Sequence, residues 1–222
     1  MATNAKRPQF TRELPPIGTY IARCYQFVHI GSNEDEFKGE KKVFNKIRLS
    51  FELPDEMRVF KEGDEPKPMS ISQEYTLSMG EKANLRKFVE GMIGTALQKD
   101  EAYNFDVESL VGKACLITVI HKVSKAGNKR AEIASASPLM KNQKAPEQIN
   151  PSKILSYSNF DEAFFESLPQ FIKDKIVTSE EYRAMKGESG LSDEDVKRIK
   201  EIKQFSSEDI NYPEPMKEEV PF

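Results

Sequence analysis

Leu110-Val-Gly-Lys-Ala-Cys-Leu-Ile-Thr-Val-Ile-His-Lys-Val-Ser-Lys-Ala-Gly-Asn-Lys-Arg-Ala-Glu-Ile-Ala-Ser-Ala-Ser137 reads as a β-hairpin. Residues 114–123 are apolar and β-branched on both parities, the pattern of a strand covered on two sides. Gly127 and Asn128 supply the positive φ that a reversal requires, and 129–137 pairs back. Lys122, Lys125, Lys129 and Arg130 surround the turn with no acid among them. A central strand pair with a basic tip predicts a small β-barrel with a charged mouth.

Working back toward the N-terminus, 18–30 reads as a long strand. Tyr20, Ala22, Cys24, Val28 and Ile30 occupy one parity, and Ile21, Arg23, Tyr25, Phe27 and His29 the other. A polar loop at 31–42 leads to a second strand, in which Val43, Ile47, Leu49, Phe51 and Leu53 face one way and Phe44, Lys46 and Arg48 the other. Residues 69–79 alternate as a half-buried third strand. Ser78-x-x-Glu81 then opens a helix striped by Leu85, Phe88, Val89, Met92, Ile93 and Leu97, with Gly91 and Gly94 where it packs closely on the sheet. The hairpin completes the order strand, strand, strand, helix, strand, strand. That order predicts a mainly β (α+β) fold: a five-stranded OB-fold barrel with its helix between strands three and four.

The expected organisation is an arm at 1–16, the barrel at 17–140, a Pro-bearing linker at 141–153, a helical appendage at 154–204 and a disordered acidic tail at 205–222. In the appendage, 160–168 and 171–177 are apolar-periodic segments broken at Pro169. Thr178-x-x-Glu181 is placed to cap a further turn, and Ser192-x-x-Asp195 opens a helix striped by Val196, Ile199 and Ile202. Charge divides along the same line. Residues 1–153 hold 24 Lys and Arg against 20 Asp and Glu, a net +4, and the remainder hold 9 against 16, a net −7. A basic body with an acidic tail suits a polyanion-binding surface beside a segment that competes for it or recruits proteins.

No apolar run approaches the ~20 residues of a membrane span, and the first residues lack the apolar stretch of a signal peptide, so a cytoplasm is the expected compartment. Cys24 and Cys115 suit reduced core positions. With His29 and His121 they make a possible zinc set, but strand parity separates Cys24 from His29 and strand length separates Cys115 from His121. The acidic runs 34–36 and 193–195 fit solvated roles better than a Mg²⁺ site. No phosphate-cradling glycine loop or nucleophile motif is present, so neither a cofactor nor an enzymatic activity is expected.

The chain ends Met216-Lys-Glu-Glu-Val-Pro-Phe222. Glu218, Glu219, Val220, Pro221 and Phe222 place acids, an aromatic ring and a terminal carboxylate together, which fits an apolar pocket rimmed by bases on a partner. This end resembles the acidic, Ile-Pro-Phe-closing tip by which bacterial single-stranded-DNA-binding proteins recruit replication and repair enzymes. Three stretches (110–119 with Gly127-Asn128 and 135–138, 165–182, and the Val-Pro-Phe end) resemble the OB-fold single-stranded-DNA-binding proteins of tailed bacteriophages. The resemblance implies a non-enzymatic protein that covers single strands without sequence choice in phage replication or recombination, its tail docking other proteins in the host cytoplasm. It carries no tryptophan and no long glycine-rich linker, unlike the bacterial proteins.

Single strands need cations along the backbone and aromatic planes for the bases. Arg23, Tyr25, Phe27, Phe44, Lys46 and Arg48 meet that need on neighbouring strands, and Lys122, Lys125, Lys129 and Arg130 meet it at the barrel mouth. The competing reading makes Tyr25, Phe27 and Phe44 core residues. Two other functions stay open: a protein-interaction module of the replication machinery with incidental DNA contact, and a duplex-binding or strand-annealing protein. Self-association into a homo-oligomer also stays open.

Overall fold

The computed structural model describes residues 13–37, 40–60, 62–124, 127–187 and 197. The expected tail, Lys125, most of the N-terminal arm and the stripe of Val196, Ile199 and Ile202 lie outside them. Six strands form one mainly antiparallel sheet: β1 (Gly18–Phe37), β2 (Glu40–Arg58), β3 (Lys67–Thr76), β4 (Ala114–Val123), β5 (Lys129–Ser137) and β6 (Lys153–Leu155). The order is β3-β2-β1-β4-β5. β4 pairs with β1 only from Gly18 to Arg23, and β6 takes over from Gln26 to Val28 in parallel. Helices α1 (Asn84–Ile93) and α2 (Lys99–Tyr103) lie between β3 and β4, and α3 (Glu162–Ser167), α4 (Gln170–Val177) and α5 (Glu180–Lys186) follow β6.

The expected hairpin is present with the expected strand bounds, and Gly127 turns it at φ 79°. Only one parity of β4 is fully enclosed, through Cys115, Ile117 and Val119. These side chains join Ile47, Leu49, Phe51 and Leu53 of β2, Ile71 and Tyr75 of β3, and Leu85, Phe88, Val89 and Met92 of α1 in the main core. Phe88 is the pivot, meeting Phe51 edge-on at 5.6 Å and Tyr75 at 5.1 Å between ring centroids. A Cβ on Gly91 would stand 2.6 Å from the Ala136 carbonyl oxygen, so glycine is what lets α1 lie on β5.

The described strands form an open, mainly antiparallel sheet of six, where five strands closed as a barrel are expected. β3 and β5 are its edges, and no ladder joins them among the described residues. The Gln73 side chain bridges the gap instead, its Oε1 accepting a hydrogen bond from Ile133 N at 2.8 Å. A carboxamide occupies the place where a strand carbonyl would close the seam.

β1 and β2 also run farther than expected. The segment expected as a loop at 31–42 continues the ladder on both strands except for residues 38 and 39, which are outside the described set, with opposite charges set across it, Glu34 against Lys41 and Asp35 against Lys46.

The segment after β5 is fastened to the sheet. Glu52 is fully buried, and its carboxylate accepts from Ile149 N at 2.8 Å, Asn150 N at 2.7 Å and Asn150 Nδ2 at 2.6 Å. Behind this anchor Val28, Ile30 and Leu155 form a second core with Phe164, Phe165, Leu168, Ile172, Ile176, Val177 and Tyr182. The three helices thus cover the outer face of β1, the side opposite the main core. Among the described residues no helix is long and apolar enough to cross a membrane.

Candidate nucleic-acid interface

Inward residues of β2 fill the main core, so the opposite parity, Phe44, Lys46, Arg48 and Ser50, is presented on the outer face. Lys46 Nζ lies 2.5 Å from Asp35 Oδ2 and 5.9 Å from the centre of the Phe44 ring. Arg48 Nη1 lies 3.4 Å from Glu74 Oε1 on the neighbouring strand, and its guanidinium sits 5.7 Å from the Phe171 ring centre. Glu74 also receives Lys175 Nζ, at 2.9 and 2.8 Å to its two oxygens. Phe171 is 44% exposed. The result is a strip of three cations and two aromatic rings shared by β2 and α4.

Next to Arg48 the face closes over a buried polar step at Ser50, 1% exposed. Ser72 Oγ donates to Ser50 Oγ at 2.9 Å, and Ser50 Oγ donates to Gln26 Oε1 at 2.8 Å. Gln26 and Tyr25 form one wall of a groove of about 300 Å³ whose other wall is the turn from α3 to α4.

Of the residues expected on this face, Phe44, Lys46 and Arg48 are brought together, and the β1 set is not. The β1–β2 ladder slips between Cys24 and Gln26, a β-bulge that reverses parity. Phe27 therefore faces inward beside Cys24, is 4% exposed and belongs to the main core, which corrects its expected stacking role. Arg23 is half-buried and spans two carbonyls, donating to Gly112 O at 2.8 Å and Pro146 O at 2.7 Å, which fits a clamp between the start of β4 and the incoming 146–150 segment. Tyr25 is the extra residue of the bulge and stays on the outer face, in the groove.

The hairpin tip is less basic in space than along the chain. Glu132, 7% exposed, holds Lys122 Nζ at 2.8 Å and Arg130 Nε at 2.7 Å. Register explains the miss, since Glu132 pairs with Ile120, two residues from Lys122 on the same side of the ribbon. Lys129 is exposed. Lys125 and Glu218, Glu219, Val220, Pro221 and Phe222 lie outside the described residues.

No protein-family model, curated protein or solved structure matches this chain. The side chains themselves therefore carry the functional argument.

Two further groups define what the site can do. Burial pushes the Cys24 thiol up to about 12, with its neighbour Cys115 adding to the effect, and burial does the same to Cys115, so both stay protonated and unreactive. His29 Nε2 lies 2.7 Å from Asn45 Oδ1, and His121 Nε2 lies 2.8 Å from Pro15 O. Each is occupied by local packing. At the base of the long ribbon, Glu181 accepts from Ser32 N at 2.6 Å, Ser32 Oγ at 2.7 Å and Asn45 Nδ2 at 3.2 Å, fastening α5 beside the strip. Burial raises the Glu181 carboxyl, and the Ser32 bonds outweigh it, leaving the group below its ordinary value.

Phe171 and Lys175 were not expected at the interface. Their sequence signal is that of a helix face, with Phe171 four residues from Lys175, and only the packing of α4 on β1 and β2 gives them a place beside Arg48.

Proposed function

We propose that this chain binds single-stranded DNA without sequence choice, as the phage-type proteins it resembles do, and that it has no catalytic role. The observation that carries the reading is the strip on β2 and α4, where Lys46 lies by Phe44 and Arg48 by Phe171. Cations placed beside aromatic planes, here part-buried around the exposed Phe171 ring, offer phosphate contacts and base stacking together. Asp35 and Glu74 hold these cations in place until phosphates compete for them.

The strand order, with β3 and β5 as edges bridged by Gln73, supports an OB-type barrel whose seam is side-chain mediated. In this reading β2 and β3 are the binding strands, the β4–β5 tip flanks them, and the acidic C-terminal residues dock replication or recombination proteins in a host cytoplasm. The test is anisotropy of labelled oligo-dT with the full chain and with Lys46→Ala combined with Arg48→Ala. Saturable binding weakened at least tenfold by the pair supports the strip, and equal binding by both proteins removes it.

A second reading, an interaction module with incidental DNA contact, draws on a different observation. Met57, Val59 and Phe60 stand exposed at the end of β2, an apolar edge suited to a protein partner. Absence of DNA binding by the full chain would favour it.

A further inference from the structure

The groove at the Tyr25 bulge is built from the materials of a base-binding site. Its lining includes Tyr25, Gln26, Asn150, Lys153, Phe164 and Pro169, and its volume is about 300 Å³. A bulge re-aims one side chain without breaking the strand, and here it sets Tyr25 outward between two inward residues, Cys24 and Phe27. Lys153 stands on the rim with Nζ 5.1 Å from the Phe164 ring centre. Gln26 Oε1 is taken by Ser50 and Asn150 Nδ2 by Glu52, so Gln26 Nε2 as a donor and Asn150 Oδ1 as an acceptor are the groups suited to a base edge.

Two connections tie this groove to a chain rather than to an isolated small molecule. On one side Pro169 lines the groove two residues before Phe171, which is 44% exposed and stands beside Arg48, so the start of α4 links the groove to the strip. On the other, Lys153, Phe164 and Ser167 are shared with an adjoining groove of about 310 Å³ that runs past Ile154 and Asp161. Asp161 is turned away from a ligand role there, since its Oδ1 accepts from Phe164 N as the cap of α3.

We infer that the Tyr25 groove is a nucleobase pocket, taking one base of a single strand that lies along β2, with Tyr25 as the stacking face and Lys153 as the phosphate contact. The inference rests on the single-strand reading and adds to it a defined subsite outside β2 and β3. The continuity with the cationic strip favours a polynucleotide over a peptide side chain.

The test uses the full chain, Tyr25→Ala and Lys153→Gln, each checked for an unchanged melting temperature. Labelled oligo-dT is compared with an equally long oligomer carrying abasic sites, and an oligomer containing 5-iododeoxyuridine is photocrosslinked and the adduct mapped. Tyr25→Ala should weaken oligo-dT about tenfold and shrink its advantage over the abasic oligomer, and Lys153→Gln should weaken both alike. Crosslinks should map to Tyr25. If wild type binds oligo-dT and Tyr25→Ala binds it equally, with crosslinks elsewhere, the pocket is overturned while the single-strand reading stands. If wild type binds no oligonucleotide, both fall. If Tyr25→Ala instead loses affinity only for a peptide matching residues 216–222, the groove is a peptide site and the inference is overturned.

Discussion

The Arg48 guanidinium stands 5.7 Å from the centre of the Phe171 ring, joining strand β2 to helix α4 across the outer face of the sheet. The helices after β6 therefore complete the candidate interface as well as covering a second core. Because Phe171 is partly exposed and outside both cores, Phe171→Ala should leave the fold intact. Its loss should cost about 1–3 kcal/mol of single-strand affinity, roughly five- to more than a hundredfold. Paired urea unfolding and oligo-dT titrations separate the two effects.

Glu74 pairs with both Arg48 and Lys175. Glu74→Gln keeps the side-chain shape and removes the charge that competes with phosphate. Binding to oligo-dT should tighten, and the slope of log affinity against log salt should steepen, because the carboxylate that competes with phosphate for Arg48 and Lys175 is gone. Titration at four salt concentrations reads both.

Gly31 has φ 92°, and a Cβ there would lie 2.7 Å from Ser179 Cβ and from Glu181 Oε2. Gly31→Ala forces a left-handed backbone on alanine and pushes α5 from the ribbon. The expected loss is about 2–4 kcal/mol, measured by urea unfolding.

The Glu181 carboxyl is held below its ordinary value when folded, so its contribution to stability is complete above the unfolded carboxylate range, about pH 4.3. It is lost as pH falls through the folded value. Melting temperatures from pH 6 to pH 3 should fall more steeply for wild type than for Glu181→Gln, which lacks the titrating group and starts lower.

Cys24 and Cys115 are buried, with thiols pushed up to about 12. Neither should react with iodoacetamide at pH 8 in the native chain, and both should react once urea unfolds it. Mass spectrometry of the alkylated protein decides this.

How much of this was readable before any coordinates varies from element to element. The hairpin was legible because Gly127 and Asn128 fix its turn and the β-branched run fixes its partner. The stripe of Leu85, Phe88, Val89 and Met92 likewise announced the helix that buries them. Phe27 was misread because alternation assumes an unbroken ladder, and a single-residue bulge at Tyr25 carries no distinctive residue to announce it. The readings of Arg23 and of the hairpin bases as unopposed cations fail for a related reason. Their partners, Gly112 with Pro146 for Arg23 and Glu132 for Lys122 and Arg130, depend on register and on a distant segment. Open rather than closed edges were also hidden, since Gln73 reads as an ordinary polar strand residue until it meets Ile133. Three of the five residues of the candidate strip, Phe44, Lys46 and Arg48, are legible from parity on β2, where the ladder runs regularly from Lys46 to Leu53. The other two sit on a helix whose docking no local pattern encodes.

The central claim is single-strand binding by the outer face of β2. Its most direct measurement is anisotropy of the full chain with labelled oligo-dT and with a duplex of equal length, over a salt series. The account predicts saturable binding that favours the single strand and weakens steeply as salt rises. Equal affinity for both forms, or no saturable binding at low salt, would contradict it.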